Sequence, residues 1–392
     1  MKTLVYIICY LIYPFSFLVP RSKKQLAFGS YRGSFSDNSK YLFIYLVEHH
    51  PELQLCWLSM NRQTVQKVRT LGLPAYWVLS PIGVWRALRA KYWFVNSYSS
   101  DIMYCLSGGA TIVNLWHGVG LKRCEFNIKD GTLAERFVKK TFRERFYHPE
   151  SFKRPEYLAS STPFQSTMFA SAFRIPLERC LGTGYPRNAI LQKPKEEVLA
   201  FVRKYEPKET LQLIVRCSKY EKVYIYMPTW RDSQKNVFAQ QMDLRVLSEV
   251  LKKQNAILLL KPHPNTIVDS IYQADNIVLV DRTVDIYGVL PFTDVLITDY
   301  SSILYDYILM LEKQVILYLY DYEEYVRDRD FYYPFAENVV GRQVKTFDDL
   351  VRVIDLQDYK MEEEDRKRIL AKFWGNTKDK DSCKEIKEKV LC

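Results

Sequence analysis

The chain has 392 residues, enough for two domains that each bury a core. Its 48% hydrophobic and 26% charged content excludes a disordered polymer, and a formal charge of +11 calls for an anionic partner such as a phosphorylated substrate, anionic lipid or nucleic acid. Eight scattered cysteines without a Cys-x-x-Cys pair exclude a disulfide framework and read as reduced thiols. No zinc-finger spacing or ribonucleoprotein aromatic signature accompanies the charge, so a nucleic-acid partner is not expected.

Within an expected membrane-associating segment over 1–24, residues 1–20 are apolar after Lys2 and rich in Tyr and Phe, and Arg21, Lys23 and Lys24 follow. With Pro14 and Pro20 it is barely long enough to span a bilayer, which takes about 20 apolar residues. It therefore reads as an interfacial membrane-associating segment or a first buried helix, and its basic flank suits an anionic leaflet. A second basic cluster comprises Lys139, Lys140, Arg143, Arg145, Lys153 and Arg154, which a solvated helix face would also explain.

Short apolar runs then alternate with amphipathic stretches. Residues 26–30, 53–58, 75–79, 92–96 and 110–116 predict strands, and 222–230, 256–264, 276–280, 294–302 and 314–320 repeat the pattern. Helical spacing separates them, and a charged, helical tail runs from about Met361. This is an α/β chain of two Rossmann-like halves, expected to face each other across a catalytic cleft: a domain over 25–180 and another over 181–392. Ligands of such sheets bind at the carboxyl ends of the strands, where each unusual polar motif falls.

Asn114–Arg123 ends a strand in Trp116-His117-Gly118. A neutral imidazole beside flexible backbone suits a general base near pH 7, although a lone His can equally be structural. Residues 182–188, GTGYPRN, present Arg187 on a turn as a phosphate ligand or a merely solvated cation. The strand entering Pro228, Thr229, Trp230 and Arg231 brings polar and cationic groups to a strand end. Lys261 and His263 lie two apart between prolines, so extended backbone would turn both toward one anion. Thr298-Asp299 precedes Ser301-Ser302, which open a predicted helix whose amides could bind an anion or simply be capped by serine. Asp306, within that helix, is expected to orient neighbours. No metal-binding set, Walker loop or nucleophile elbow is visible in the sequence, which leaves a single base, positive charge and alignment. That combination suits phosphoryl transfer.

Taken in order, WHGVGLK, GYPRN, PTWRD, KPHP and TDYSSILYDY resemble the signature series of the CDP-glycerol glycerophosphotransferase family, the teichoic-acid primases and polymerases with their capsule-synthesis relatives. The resemblance runs from Trp116 to about Tyr307, with a looser match at Arg329-Asp330-Phe331-Tyr332. It implies a GT-B-like fold and an enzyme on the cytoplasmic face of the bacterial membrane, peripheral or monotopic. Its expected substrates are CDP-glycerol, or alternatively CDP-ribitol, and a polyprenyl-diphosphate-linked glycan or growing polymer. No cofactor or metal is expected.

The resemblance also implies site residues. His117 would be the base, with Trp116 and Gly118 beside it. Arg187, Pro228, Thr229, Arg231, Lys261, His263, Thr298, Ser301 and Ser302 would bind substrate. The chain departs from the pattern at Ala189, where an acidic residue is usual, at Val119-Gly120, and at Asp330. A GT-B glycosyltransferase using a nucleotide sugar shares this fold and would release a nucleoside diphosphate instead of CMP. A membrane-surface binding protein without catalysis would leave the five strand-end motifs unexplained.

Overall fold

The structure is a computed structural model and describes residues 2–131, 133–229, 242–262, 274–281, 284–328 and 331–391. The chain forms two compact units, Met1–Ala189 with Phe373–Cys392, and Ile190–Lys372. The boundary, after Ala189, lies beyond the expected one at residue 180. The last twenty residues also return to the first unit, whereas the sequence reading attached the whole tail to the second. The helix Ser382–Leu391 explains the difference, because it buries Cys383, Ile386 and Val390 in contact with the helix α2 (Asp37–His49).

Each unit is built on a six-stranded, fully parallel sheet. In the first, β1 (Ser22–Phe28), β2 (Gln54–Ser59), β3 (Ala75–Trp77), β4 (Ala90–Val95), β5 (Thr111–Asn114) and β6 (Tyr157–Leu158) are ordered β3-β2-β1-β4-β5-β6. In the second, β7 (Lys222–Met227), β8 (Ala256–Leu260), β9 (Ile277–Leu279), β10 (Val295–Thr298), β11 (Gln314–Tyr318) and β12 (Arg342–Val344) are ordered β12-β11-β10-β7-β8-β9. Read outward from each unit's first strand, the two orders are the same. Each therefore has one switch point, between β1 and β4 and between β7 and β10, where successive connections leave in opposite directions and a crevice opens at the carboxyl edge.

Ten of these strands coincide with the apolar runs. The other two, β6 and β12, are edge strands of two and three residues, too short to show a period. Strands such as β8, buried at all five positions, are apolar throughout because helices cover both faces of a parallel sheet. Much of the tyrosine content is core: Tyr224, Tyr226, Tyr300, Tyr305, Tyr307 and Tyr318 are fully buried. Their hydroxyls find internal partners, as where the Tyr224 and Tyr359 oxygens lie 2.8 Å apart.

The first helix, α1 (Lys2–Phe15), has an unusual polarity. Tyr6, Cys9, Tyr10 and Tyr13, spaced for one helical face, turn toward the protein; Tyr6 and Tyr10 pack on Phe146 and Tyr13 stacks on Tyr104. Leu4, Val5, Ile7, Ile8, Leu11, Ile12 and Phe15 are exposed, as are Phe17 and Leu18 just beyond. No described helix is long and apolar enough to cross a membrane. Arg21, assigned above to the membrane-facing basic flank, is half-buried instead. Its guanidinium donates to the carbonyls of Gly108 (2.8 and 2.5 Å), Ala87 (2.9 Å), Ala90 (2.6 Å) and Leu106 (2.7 Å), while Lys23 and Lys24 remain exposed. Desolvation lowers its pKa to about 10.

Candidate active site

In the first unit the switch point gathers the ends of β1, β4 and β5 with the start of α2. After β5, Asn114 Oδ1 accepts the Trp116 amide at 2.8 Å, which turns the chain through a left-handed Trp116 (φ 52°) and Gly118 (φ 117°). Such φ values in two of three residues strain an ordinary strand exit, and a glycine at the second relieves it. The Trp116 indole is buried edge-on to Phe173, and its ring centroid lies 4.0 Å from that of His117. His117 itself is exposed, with one flank on the indole.

Two groups hold this loop from outside. Arg187 is only 7% exposed; its Nη1 donates to Asp37 Oδ1 at 2.7 Å and its Nη2 to the His117 carbonyl at 2.8 Å. Asn38, next in α2, donates from Nδ2 to the Trp116 carbonyl at 2.9 Å and accepts the Arg187 amide at 3.0 Å. The geometry thus places Arg187 among the supports of the His117 loop rather than on the donor side expected for it. The His117 pKa lies below 6.5, because desolvation disfavours imidazolium; the Asp37 charge works against this and the Arg187 charge adds to it. The ring is thereby neutral at pH 7 and able to accept a proton.

In the second unit, Asp299 at the end of β10 is completely buried and faces the turn after β7. It accepts the Thr229 amide at 2.9 and 3.1 Å and the Thr229 hydroxyl at 2.5 Å. These bonds fix the Pro228-Thr229 turn at the crevice. Thr298 is fully buried and donates to the Met227 carbonyl at 2.7 Å, which makes it a tie between strands rather than a ligand contact. Lys261 donates to the carbonyls of Asp281 and Val284 at 2.7 and 2.9 Å, so its ammonium anchors the loop after β9. Ser301 and Ser302 are partly exposed at the start of a helix only five residues long, Ile303–Tyr307. One and a half turns supply little of the aligned dipole that a longer helix would bring. Asp306 accepts a hydrogen bond from Tyr287 and is buried, an orienting role as expected. Arg231 and His263 lie outside the described residues, as do Arg329 and Asp330.

Among the described residues, no three His, Cys, Asp or Glu side chains cluster in a way that could hold a metal. The sequence reading missed Asp37, Asn38, Asn96 and Asp101. A Gly/Ser-rich strand-to-helix turn, Gly29–Ser36, directly before Asp37 was the available signal for the first two.

Residues 11–391 match the family described as CDP-glycerol:poly(glycerophosphate) glycerophosphotransferase. The chain belongs to this family. It is a transferase with a GT-B-like fold of two parallel-sheet α/β domains. The teichoic acid poly(glycerol phosphate) polymerase of Bacillus subtilis is 28% identical over 88% of this chain, which spans 45% of that relative's length. The teichoic acid glycerol-phosphate transferase of Staphylococcus aureus is 28% identical over 82% of this chain and 80% of its own. The solved structure of the wall teichoic acid polymerase TagF aligns over 100% of this chain and 97% of that one, with a TM-score of 0.76 at 23% identity. That last likeness is one of fold.

Proposed function

We propose that this glycerophosphotransferase-family enzyme moves glycerol phosphate from CDP-glycerol to a hydroxyl of a growing polyol-phosphate polymer or lipid-linked glycan in teichoic-acid or capsule-type synthesis. The observation that carries the reading is an exposed, neutral imidazole held at the first switch point in a chain that matches the family over residues 11–391. His117 takes the proton of the acceptor hydroxyl as its oxygen attacks the β-phosphorus. The bond from that phosphorus to the bridging oxygen breaks, and CMP leaves with the electron pair. Thr229, Pro228, Ser301 and Ser302 line the donor's place, with Arg231 and His263 as further cationic ligands, and Asp299 holds the Thr229 turn. No metal or other cofactor enters the step.

The acceptor is membrane-bound in this proposal, and α1 lies in the interface with its aliphatic face in the lipid. At about 1.5 Å per residue the helix is roughly 21 Å long, short of a hydrocarbon core of about 30 Å. Exposed Lys23, Lys24, Lys139 and Arg143 supply the attraction to anionic headgroups. Flotation with vesicles of phosphatidylglycerol should carry the protein, and Leu4→Glu with Leu11→Glu should leave it behind. Equal flotation of both would refute the anchor.

The activity is tested by CMP release from CDP-glycerol and, separately, CDP-ribitol, each with a lipid-linked acceptor. Acceptor-dependent CMP from CDP-glycerol is the expected result. CMP from CDP-ribitol alone would reassign the polyol, and release from neither would overturn the proposal.

A further inference from the structure

The chain is buried on both sides of His117: Trp116, Gly118, Val119, Gly120 and Leu121 lie inside while the imidazole is exposed. The entry to this loop is held from the sheet. Asn114 Nδ2 donates to the Ser97 carbonyl at 2.7 Å, Asp101 Oδ2 accepts the Ser97 and Asn96 amides at 2.8 and 2.9 Å, and Asn96 Oδ1 accepts the Ser39 amide at 3.0 Å. The exit is held from elsewhere, by the helix Pro163–Phe173.

Gln165, Phe169 and Phe173 recur every four residues and so share one face of that helix. Phe173 and Phe169 stand edge-on to the Trp116 indole, with ring centroids 4.9 and 6.0 Å from it. Gln165 takes the other end of the loop, where its Oε1 accepts the Gly120 amide at 2.8 Å. A Cβ at position 120 would come within 2.8 Å of Phe169 Cε1 and 3.4 Å of Gln165 Oε1, so a glycine lets the loop lie against this helix face.

Two features set the Gln165 bond apart from packing. Thr162-Pro163-Phe164-Gln165 has the spacing of a capping box, in which the glutamine turns back to the amide of the N-cap residue. The Thr162 hydroxyl does accept the Gln165 amide, at 3.4 Å, but the Gln165 oxygen is turned to Gly120, 45 positions away. Gln165 is also 0% exposed, and its Nε2 finds no partner among the described residues. A side chain that only filled this space would be apolar, because a buried amide nitrogen left unbonded is destabilising.

We propose that Gln165 is a positioning residue of His117: with Phe169 and Phe173 it clamps the loop on both sides of the imidazole, at Trp116 and at Gly120, and so fixes where the ring stands at the switch point. The catalytic consequence rests on the function proposed above; the clamp does not.

The full chain, with its 14 glycines labelled with nitrogen-15, is followed by amide hydrogen exchange in NMR, the Gly120 signal being assigned by its loss in Gly120→Ala. Gln165→Met keeps the length of the side chain and removes the acceptor. It should speed exchange of the Gly120 amide about tenfold or more, and lower kcat for CMP release about tenfold with the donor KM within about twofold, the pattern of a displaced catalytic group. Gln165→Glu keeps an oxygen in the same place and should restore most of both. A purely structural glutamine would lower the thermal midpoint without this split between kcat and KM. In folded Gln165→Met, unchanged exchange, or unchanged kcat while His117→Ala is inactive, would overturn the proposal, as would an equal loss in folded Gln165→Glu. If Gln165→Met does not fold, Phe173→Leu, which loosens only the indole, should lower kcat about threefold at constant donor KM, and unchanged kcat there would overturn it. Faster exchange with unchanged kcat in Gln165→Met, together with full turnover by His117→Ala, would uphold the clamp and remove the catalytic role of His117 instead.

Discussion

The two switch points share one strand order but use their carboxylates in opposite ways. At the first, Asp37 and Asp101 stand behind the loop and hold it indirectly, through Arg187 and through the amides of Asn96 and Ser97, so that an imidazole is exposed. At the second, Asp299 binds the Thr229 turn itself and leaves backbone and hydroxyl groups at the edge. A parallel sheet supplies the same crevice in both units. What differs is whether the buried acid faces a turn or a turn's supports, and that decides whether the edge offers a base or a set of donors.

The sharpest break in this comparison is removal of the base. His117→Ala should cost CMP release about 100- to 10,000-fold, the usual range for a general base, with an unchanged near-ultraviolet circular dichroism spectrum. Near-normal turnover in the folded variant would refute the mechanism. Asp299→Ala should act on the other side: it leaves the Thr229 amide without its partner, so the donor KM should rise more than kcat falls. Its denaturant midpoint should drop by the equivalent of about 1–3 kcal/mol, the cost of a buried group left unbonded.

Arg187→Lys separates the sequence reading from the geometry. A lysine cannot bridge Asp37 and the His117 carbonyl in one plane, so kcat should fall about tenfold while the donor KM stays. A rise in KM alone would restore Arg187 to the donor's ligands. The pH profile is a finer test. Protonation of His117 removes the base, and its pKa is depressed, so the acid limb of kcat/KM should lie below pH 6.5. Asp37 raises that pKa, so Asp37→Asn should move the limb further toward acid.

The smallest effect concerns Asp101, whose pKa burial raises to about 7 from 3.8. The folded state then holds a proton that the unfolded chain releases. Wild-type stability from this group is present at low pH and is lost as pH rises toward and through 7. Asp101→Asn does not titrate, so its thermal midpoint relative to wild type should climb between about pH 5 and 8. A constant difference across that range would contradict the assignment.

The sequence was most legible where one strand reports on itself. Five apolar positions in a row, as in Ala256–Leu260, can only be buried on both faces, and a polar motif directly after such a run must lie at a strand end. His117, Thr229 and Ser301 follow β5, β7 and β10 in that way. The direction taken by a long side chain was not legible. Lys261 stands at the expected strand end, but it reaches the carbonyls of Asp281 and Val284. Arg21 looked like a membrane-facing cation because it follows an apolar helix, yet carbonyls from residues 66 to 87 positions away surround it.

The sequence by itself determined the alternation of strand and helix, the parallel sheets and the places where polar groups emerge, because each depends on the period of neighbouring residues. Only the tertiary structure decided the supports of the site. Arg187 meets Asp37 across 150 positions and Ser39 meets Asn96 across 57. Those pairings are set by strand order and by the turns at strand ends, and nothing in a local pattern encodes which distant carboxylate or amide will be brought within 3 Å of a given side chain.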